Sequence, residues 1–440
     1  MKIKLIAPHN RNEINSSSAE SFKIQRLSLP ILAALTPSDH EITIVDEAFN
    51  SENICDDVDL VGITVLTDLV GRAYYLADQY RVRGAKVILG GMHPTVLPME
   101  ALEHSDAVVV GESENVWPNV VSDAFSSKLQ KIYRADGATD LSQLPRPSRN
   151  LYTIPQHRGY TPLACSIETS RGCAFDCEFC SIKRVMGQGY RIRPVEDVIA
   201  EIDSIDIPNL FFVDDSFGLN RTYTKRLLRE IIPLNRKWVG QGTVSLAKDM
   251  ELLKLMTDSG CKALLIGFES IQKDIQNNMK KISSSGIEFP EAVRRFHDHG
   301  IAILGAFVFG LDHENKDVFD KTLEFLIEYR LDGAQLRTVT PYPGTRLYAR
   351  LLREGRLIEP DWWLRGYTSA DILYRPKGMT VDELRAGIEY VKRKTYSATS
   401  IIRRFFGMSP RKRTSLGSQL YFGFNLATRR RYLKELNRQP

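Results

Sequence analysis

The segment Cys173-Ala-Phe-Asp-Cys177-Glu-Phe-Cys180 places three thiols within eight residues, in the spacing CxxxCxxC. A loop that tight can wrap one inorganic cluster and gives it three ligands. Iron–sulfur cubanes usually take four cysteines, one per iron, so three leave one iron open to something else. Structural zinc asks for four closed ligands, commonly in two CxxC-like pairs. The remaining cysteines, Cys55, Cys165 and Cys261, are scattered and form no second pair, and no His-x-x-x-His follows. A secreted disulfide scaffold would be short and cysteine-dense. Six cysteines in 440 residues without a signal peptide read as a reduced, cytosolic chain.

The sequence around this loop alternates strands and helices. Leu163 to Glu168 reads as a strand running into it. Asn209 to Val213, Lys237 to Val244, Ala263 to Gly267, Ala302 to Phe309 and Gly333 to Thr340 read as five more. An amphipathic helix opens at Pro194, and Gly260 closes another that begins near Met250. Six strand–helix units fit a partial (β/α) barrel, whose sites lie at the carboxyl ends of the strands. Asp214-Asp215 and Glu269-Ser270 occupy such ends. Taken singly, each of these pairs also suits a helix cap, and Gly310 suits a turn.

The first third of the chain alternates in the same way. Lys2 to Ile6, Glu41 to Val45, Leu60 to Val65, Ala85 to Leu89 and Ala107 to Val110 read as strands, with a helix over Asp68 to Arg83. This predicts a doubly wound parallel sheet, with ligands outside its carboxyl ends. Thr64, Leu66, Gly90, Gly91 and Gly111 fall there. No GxGxxG opens a helix, so a dinucleotide is a poor fit. Pro145, Pro147, Pro155 and Pro162 mark a linker, with a boundary near residue 150.

CxxxCxxC after a strand and before a helix resembles the radical S-adenosylmethionine superfamily. The resemblance implies a 4Fe–4S cluster on Cys173, Cys177 and Cys180, with the methionyl amine and carboxylate of S-adenosylmethionine on the fourth iron. One electron then cleaves the sulfonium and gives a 5′-deoxyadenosyl radical. It also implies Phe179 near the adenine, Asp214 or Asp215 at the methionyl amine, and Glu269 and Ser270 at the methionyl or ribose end. The strand from Gly305 to Gly310 would lie along the adenine. Tyr190-Arg-Ile-Arg193-Pro and Thr340-Pro-Tyr-Pro-Gly-Thr345 are further matches.

The first third resembles the cobalamin-binding domain fused to one class of that superfamily. This class includes hopanoid and bacteriochlorophyll methylases and the anaerobic magnesium-protoporphyrin ester cyclase. Thr64-Val-Leu66 and Gly90-Gly91 match the residues that line the slot for the cobalamin tail, and Gly111-Glu112 is typical of the class. The Asp-x-His-x-x-Gly motif that supplies histidine to cobalt is missing. The resemblance therefore implies either cobalamin held without a protein histidine or a domain that has lost its ligand, with His93 the nearest substitute but better suited to a structural turn. The expected organisation is α/β throughout. Residues 1–145 form a Rossmann-like cobalamin domain, 160–365 a partial (β/α)6 radical S-adenosylmethionine barrel, and 366–440 a helical basic tail.

Composition bounds the partners. The hydrophobic fraction of 43% supports packed cores, and the longest apolar runs fall short of a membrane span. Net charge is +5, concentrated in the tail, where ten Lys and Arg follow Ile402 against one Glu. Arg403-Arg-Phe-Phe406, Arg411-Lys-Arg413 and Arg429-Arg-Arg431 suit a solvated basic face, or contact with an acidic partner, an anionic substrate or a membrane surface. The expected location is cytoplasmic, with peripheral membrane contact open.

The leading expectation is an enzyme that methylates or cyclises an unactivated carbon of a small-molecule, lipid or tetrapyrrole-like substrate, fed by flavodoxin or ferredoxin. A non-catalytic cobalamin sensor would not need an open iron. A tRNA methylthiotransferase would carry more cysteines in its first domain and a β-barrel tail, so no nucleic acid is expected. The substrate and any catalytic proton or hydrogen-transfer residue are not encoded in a local motif.

Overall fold

The computed structural model describes residues 1–9, 24–50, 52–152, 164–187, 189–272, 286–406 and 415–436. The linker prolines Pro155 and Pro162 and the tail residues Arg411 to Arg413 lie outside the described residues.

Two parallel sheets of six strands form the frame. The first comprises β1 (Lys2–Ala7), β2 (Glu41–Asp46), β3 (Leu60–Thr64), β4 (Lys86–Gly90), β5 (Ala107–Val110) and β6 (Ile132–Arg134). Its order is β2-β1-β3-β4-β5-β6, so the chain reverses direction across the sheet between β1 and β3. Strands buried on both faces are continuous in Val, Ile and Leu, as parallel sheets require. Val61, Ile63, Leu76 and Tyr80 pack on one face, and Ile3, Leu5, Ile44 and Trp117 on the other. Burying each such side chain stabilises by roughly 1.5–3 kcal/mol. Gly62 makes room for the indole, because a Cβ there would stand 3.2 Å from Trp117. β6 goes beyond the sequence expectation, which gave five strands; at three residues it is too short to show a period.

After β7 (Cys165–Ile167), a two-stranded antiparallel ribbon precedes the rest of the second sheet. Its strands are β8 (Ser170–Gly172) and β9 (Tyr190–Ile192). The sheet continues with β10 (Asn209–Phe212), β11 (Lys237–Gly242), β12 (Cys261–Glu269), β13 (Ala302–Phe309) and β14 (Gly333–Thr338). Its order is β14-β13-β12-β11-β10-β7, an open barrel with helices outside. Phe212, Phe217 and Trp238 pack ring to ring within it, as do Phe268, Phe307 and Phe325. Asn220, not Asp214 or Asp215, caps the following helix by accepting from the Tyr223 amide at 3.1 Å.

The tail folds back along β14. The helix Val381–Thr395 opens with a capping box between Thr380 and Glu383. Tyr396 Oη receives the Ala334 amide at 3.0 Å and donates to the Ala334 carbonyl at 2.5 Å. Arg404, read from sequence as part of an outward basic face, is 1% exposed and donates to the carbonyls of Leu331, Asp332 and Thr395. Among the described residues no helix is long and apolar enough to cross a membrane.

The carboxyl ends of the two sheets face each other. Asp68, beyond β3, accepts from the Ser369 amide at 3.0 Å and from its hydroxyl at 2.8 Å. Glu100, beyond β4, accepts from Trp363 Nε1 at 3.1 Å.

Candidate active site between the two sheets

The cysteine loop is held at both ends. Gly172, immediately before Cys173, has φ +86°, and a Cβ there would stand 2.3 Å from the Gly189 carbonyl oxygen across the ribbon. Only glycine fits this position. Asp215 accepts the Gly172 amide at 2.9 Å. Asp214 Oδ1 receives the Thr169 amide at 3.1 Å, the Thr169 hydroxyl at 2.7 Å and the Ser170 hydroxyl at 2.5 Å. Beyond the first two cysteines, Arg350 Nη2 reaches Glu178 Oε1 at 2.7 Å, and the Glu178 carbonyl accepts the Leu347 amide at 3.0 Å.

Cys173, Cys177 and Cys180 are half-buried, and the Cys180 amide donates to the Cys177 carbonyl at 3.1 Å. Among the described residues, no three His, Cys, Asp or Glu side chains converge as a ready-made metal cage. The fit to a cluster rests on the donor set, three partly exposed thiols on one anchored loop. Cys165 and Cys261 differ, since both are buried and burial pushes both thiols up in pKa. They are core side chains rather than ligands.

Asp214 departs from its expected role at a ligand ammonium. It is 0% exposed and tied to the strand that feeds the loop. Burial pushes its carboxyl up to about 7 against the pull of the Ser170 and Thr169 bonds. Its Oδ2 is buried without a hydrogen-bond partner. Asp215 is the more exposed of the pair.

Glu269 and Ser270 meet Gly310 through a residue that sequence reasoning passed over. Glu314 Oε1 accepts the Ser270 hydroxyl at 2.9 Å, and its Oε2 accepts the amides of Gly310 at 2.8 Å and Leu311 at 3.1 Å. One carboxylate thus ties the ends of β12 and β13. Burial pushes it up to about 7, with the Ser270 and backbone bonds opposing. Glu269 has φ +60° beside a register shift in β12, and non-glycine backbone there is strained. Gly310 has φ +90°, and its carbonyl accepts from Tyr374 Oη at 2.7 Å. Gly305 also departs from expectation. A Cβ there would point at Leu331 and Phe307, 2.7 Å away, so its smallness serves packing against the helix layer. Phe179 packs against the small apolar cluster of Val339, Leu347, Leu351, Leu357 and Tyr374.

Beside this loop lies a cavity of about 810 Å³. Thr64, Leu66, Gly90, Gly91 and Gly111 line it from the first sheet, and Glu168, Arg171 and Val213 from the second. Gly91 has φ +101°, and a Cβ there would lie 3.0 Å from Thr64 Oγ1 and from the Val65 amide. The cradle these glycines form, and its size, fit a bulky cofactor tail. His93 does not face it. Its Nε2 meets Glu100 at 2.9 Å, its Nδ1 meets Thr67 Oγ1 at 3.4 Å, and the ring is 0% exposed. His9, at the end of β1, lines the cavity instead.

Residues 167–326 match the radical SAM superfamily model, and residues 22–121 match the B12 binding domain model. The chain joins a radical S-adenosylmethionine domain to a B12-binding domain. Its cofactors are S-adenosylmethionine, a 4Fe–4S cluster and cobalamin. It is 28% identical over 391 residues to a bacteriochlorophyllide d C-12(1)-methyltransferase of Chlorobaculum tepidum, covering 87% of this chain and 84% of that one. It is 25% identical over 378 residues to the anaerobic magnesium-protoporphyrin IX monomethyl ester cyclase of Cereibacter sphaeroides, covering 77% and 60%. In fold it is similar to the radical S-adenosylmethionine methyltransferase TsrM of Kitasatospora setae, solved with cobalamin and a 4Fe–4S cluster bound. The TM-score is 0.68 at 15% identity, over 99% of this chain and all of that one.

In this radical enzyme the residues missed from sequence are Gly172, Glu314, Arg350 and the Arg171–Glu112 pair. Gly172 had a local signal, a glycine abutting the first cysteine. The others act through partners 44 to 172 positions away, which no local pattern reveals.

Proposed function

We propose that this enzyme transfers a methyl group to an unactivated carbon of a small, largely apolar molecule of lipid or tetrapyrrole-like type. The observation that carries this reading is the shared cavity, which opens on Gly91 of the first sheet and on Arg171, two residues before the first cluster cysteine. When bound, the cluster and S-adenosylmethionine supply a 5′-deoxyadenosyl radical, and cobalamin supplies a transferable methyl group.

The chain's own contribution is to hold and enclose. Cys173, Cys177 and Cys180 would bind three irons. Asp215, Glu269 and Ser270 would orient the methionyl and ribose ends of S-adenosylmethionine, with Phe179 and Gly310 near the adenine. Thr64, Leu66, Gly90, Gly91 and Gly111 would take the cobalamin tail. The ties from Asp68 to Ser369 and from Glu100 to Trp363 would help to close the junction against water, which would protect a radical from quenching. The Chlorobaculum relative, whose name records a methyltransferase, supports methylation over cyclisation.

The reading extends to partners. A one-electron donor such as flavodoxin or ferredoxin would reduce the cluster. The tail would make peripheral contact with an anionic lipid surface, where Ile402 and Phe406 stand exposed beside Arg403.

The test is anaerobic incubation of the reconstituted enzyme with cobalamin, dithionite, methyl-deuterated S-adenosylmethionine and bacteriochlorophyllides. A product carrying the labelled methyl is expected. A product that has lost hydrogen without gaining carbon would overturn methylation in favour of oxidative cyclisation.

A further inference from the structure

The end of β5 is joined to the cluster ribbon by buried charges. Glu112 follows Gly111 on the wall of the cavity and is 8% exposed. Its Oε2 accepts from Arg191 Nη1 at 2.9 Å, from Arg171 Nη1 at 3.1 Å and from the Thr139 amide at 3.1 Å, while its Oε1 receives Arg191 Nη2. Arg171 and Arg191 are direct partners across the β8–β9 ribbon. Arg171 is itself gripped by Glu168 through two bonds, at 3.0 and 2.9 Å, and by Glu114 at 2.7 Å. Three carboxylates therefore enclose two guanidiniums. Burial opposes charge on Glu112, but Arg191 and Arg171 outweigh it and hold the carboxyl below its usual range.

Such a cluster adds little net stability, because the cost of desolvating buried ions offsets most of their attraction. What it does fix is geometry, since bidentate guanidinium–carboxylate pairs tolerate few arrangements. The path is short. From Gly111, at the cofactor wall, it passes through the Glu112 and Arg171 side chains to Gly172 and Cys173. Ser369–Asp68 and Trp363–Glu100 tie the sheets elsewhere, but neither leads to the cluster loop.

We propose that Glu112, clasped by Arg171 and Arg191, is a positioning residue that sets the cobalamin cavity against the cluster loop. Reactions between separately held groups are sensitive to this, since a misplacement of about 1 Å can cost about 100-fold in rate. The proposal rests on the two cofactor sites and is independent of which carbon is methylated.

The test uses holoenzyme loaded with cobalamin and cluster. A reduced cluster is paramagnetic and speeds the electron-spin relaxation of nearby Co(II), an effect that falls steeply with distance. Microwave power saturation of the Co(II) signal, with the cluster reduced and oxidised, reads that distance. In Glu112→Gln the enhancement should fall by half or more at unchanged iron and cobalamin content. If that variant does not fold, Arg191→Met decides in its place. Unchanged enhancement at full cofactor content overturns the proposal. So does loss of cobalamin binding, which would make Glu112 a binding residue. A failure to methylate a trial substrate leaves this measurement unaffected, so the two readings fail separately.

Discussion

Gly172 and Gly189 face each other across the ribbon so closely that a single added carbon on Gly172 would fall 2.3 Å from the Gly189 carbonyl oxygen. The residue before the first cluster cysteine is thus set by backbone contact. Gly172→Ala should force the ribbon apart and lower the iron bound after anaerobic reconstitution by most of its value. Iron and sulfide assays check this, and full iron content in the variant would refute the constraint.

The three thiols are the iron ligands in this reading. Changing Cys173, Cys177 and Cys180 together to Ala should abolish the brown chromophore while the first sheet still binds cobalamin. Retained iron in the triple variant would mean that other residues hold the cluster. The wild-type protein with dithionite should release 5′-deoxyadenosine even without substrate.

Glu314 carries a pH dependence. Its carboxyl titrates near pH 7 in the fold, against 4.5 when exposed, so the folded state binds the extra proton between these values. Stability present below about pH 4.5 is therefore lost as pH rises through about 7, at a rate on the order of 1 kcal/mol for each pH unit crossed between the two. Asp214 acts with the same sign. Denaturant melts of the apoprotein across this window should show the decline, and Glu314→Gln should flatten it. A slope that steepens in the variant would contradict the assignment.

Glu269 holds strained backbone at φ +60°. Relief of such strain is worth on the order of 1 kcal/mol. Glu269→Gly should therefore leave the melting temperature unchanged or raised while weakening S-adenosylmethionine binding. Thermal melts and equilibrium binding separate the two effects. Unchanged affinity would remove Glu269 from the proposed site.

Cobalt should lack a protein histidine below it. Both His93 nitrogens are engaged, with Glu100 and Thr67. Paramagnetic resonance of the Co(II) form should show no nitrogen superhyperfine splitting from a lower ligand. Should splitting appear, His9, which lines the cavity, is the residue to change first.

The architecture was legible because parallel strands buried on both faces read as short apolar runs, and because CxxxCxxC is specific. β6 and the ribbon strands escaped because three residues carry no period. Asp214 misled because a carboxylate at a strand end looks the same whether it faces a ligand or braces a loop. Its burial decides the matter, and burial depends on Thr169 and Ser170 folding over it. Gly305 misled for a related reason. Its parity with Ile303 and Phe307 along β13 places it toward the helices, although the motif alone had drawn it toward the ligand. Glu314 and Glu112 matter through partners distant in sequence, and only the fold brings those together.

An open barrel leaves an outer strand with hydrogen-bonding groups that nothing in the sheet can satisfy, and such edges invite other chains to pair with them. Here β14 is one such strand, and the Tyr396 hydroxyl serves both the N–H and the C=O of Ala334 as a substitute neighbour. Arg404 occupies three carbonyls at the corner leading into it and nearby. The tail thus works as a seam guard. A chain shortened before Tyr396 would keep the three cluster cysteines and the glycine cradle and yet present a bare ladder to its own copies, so its first failure would be self-association.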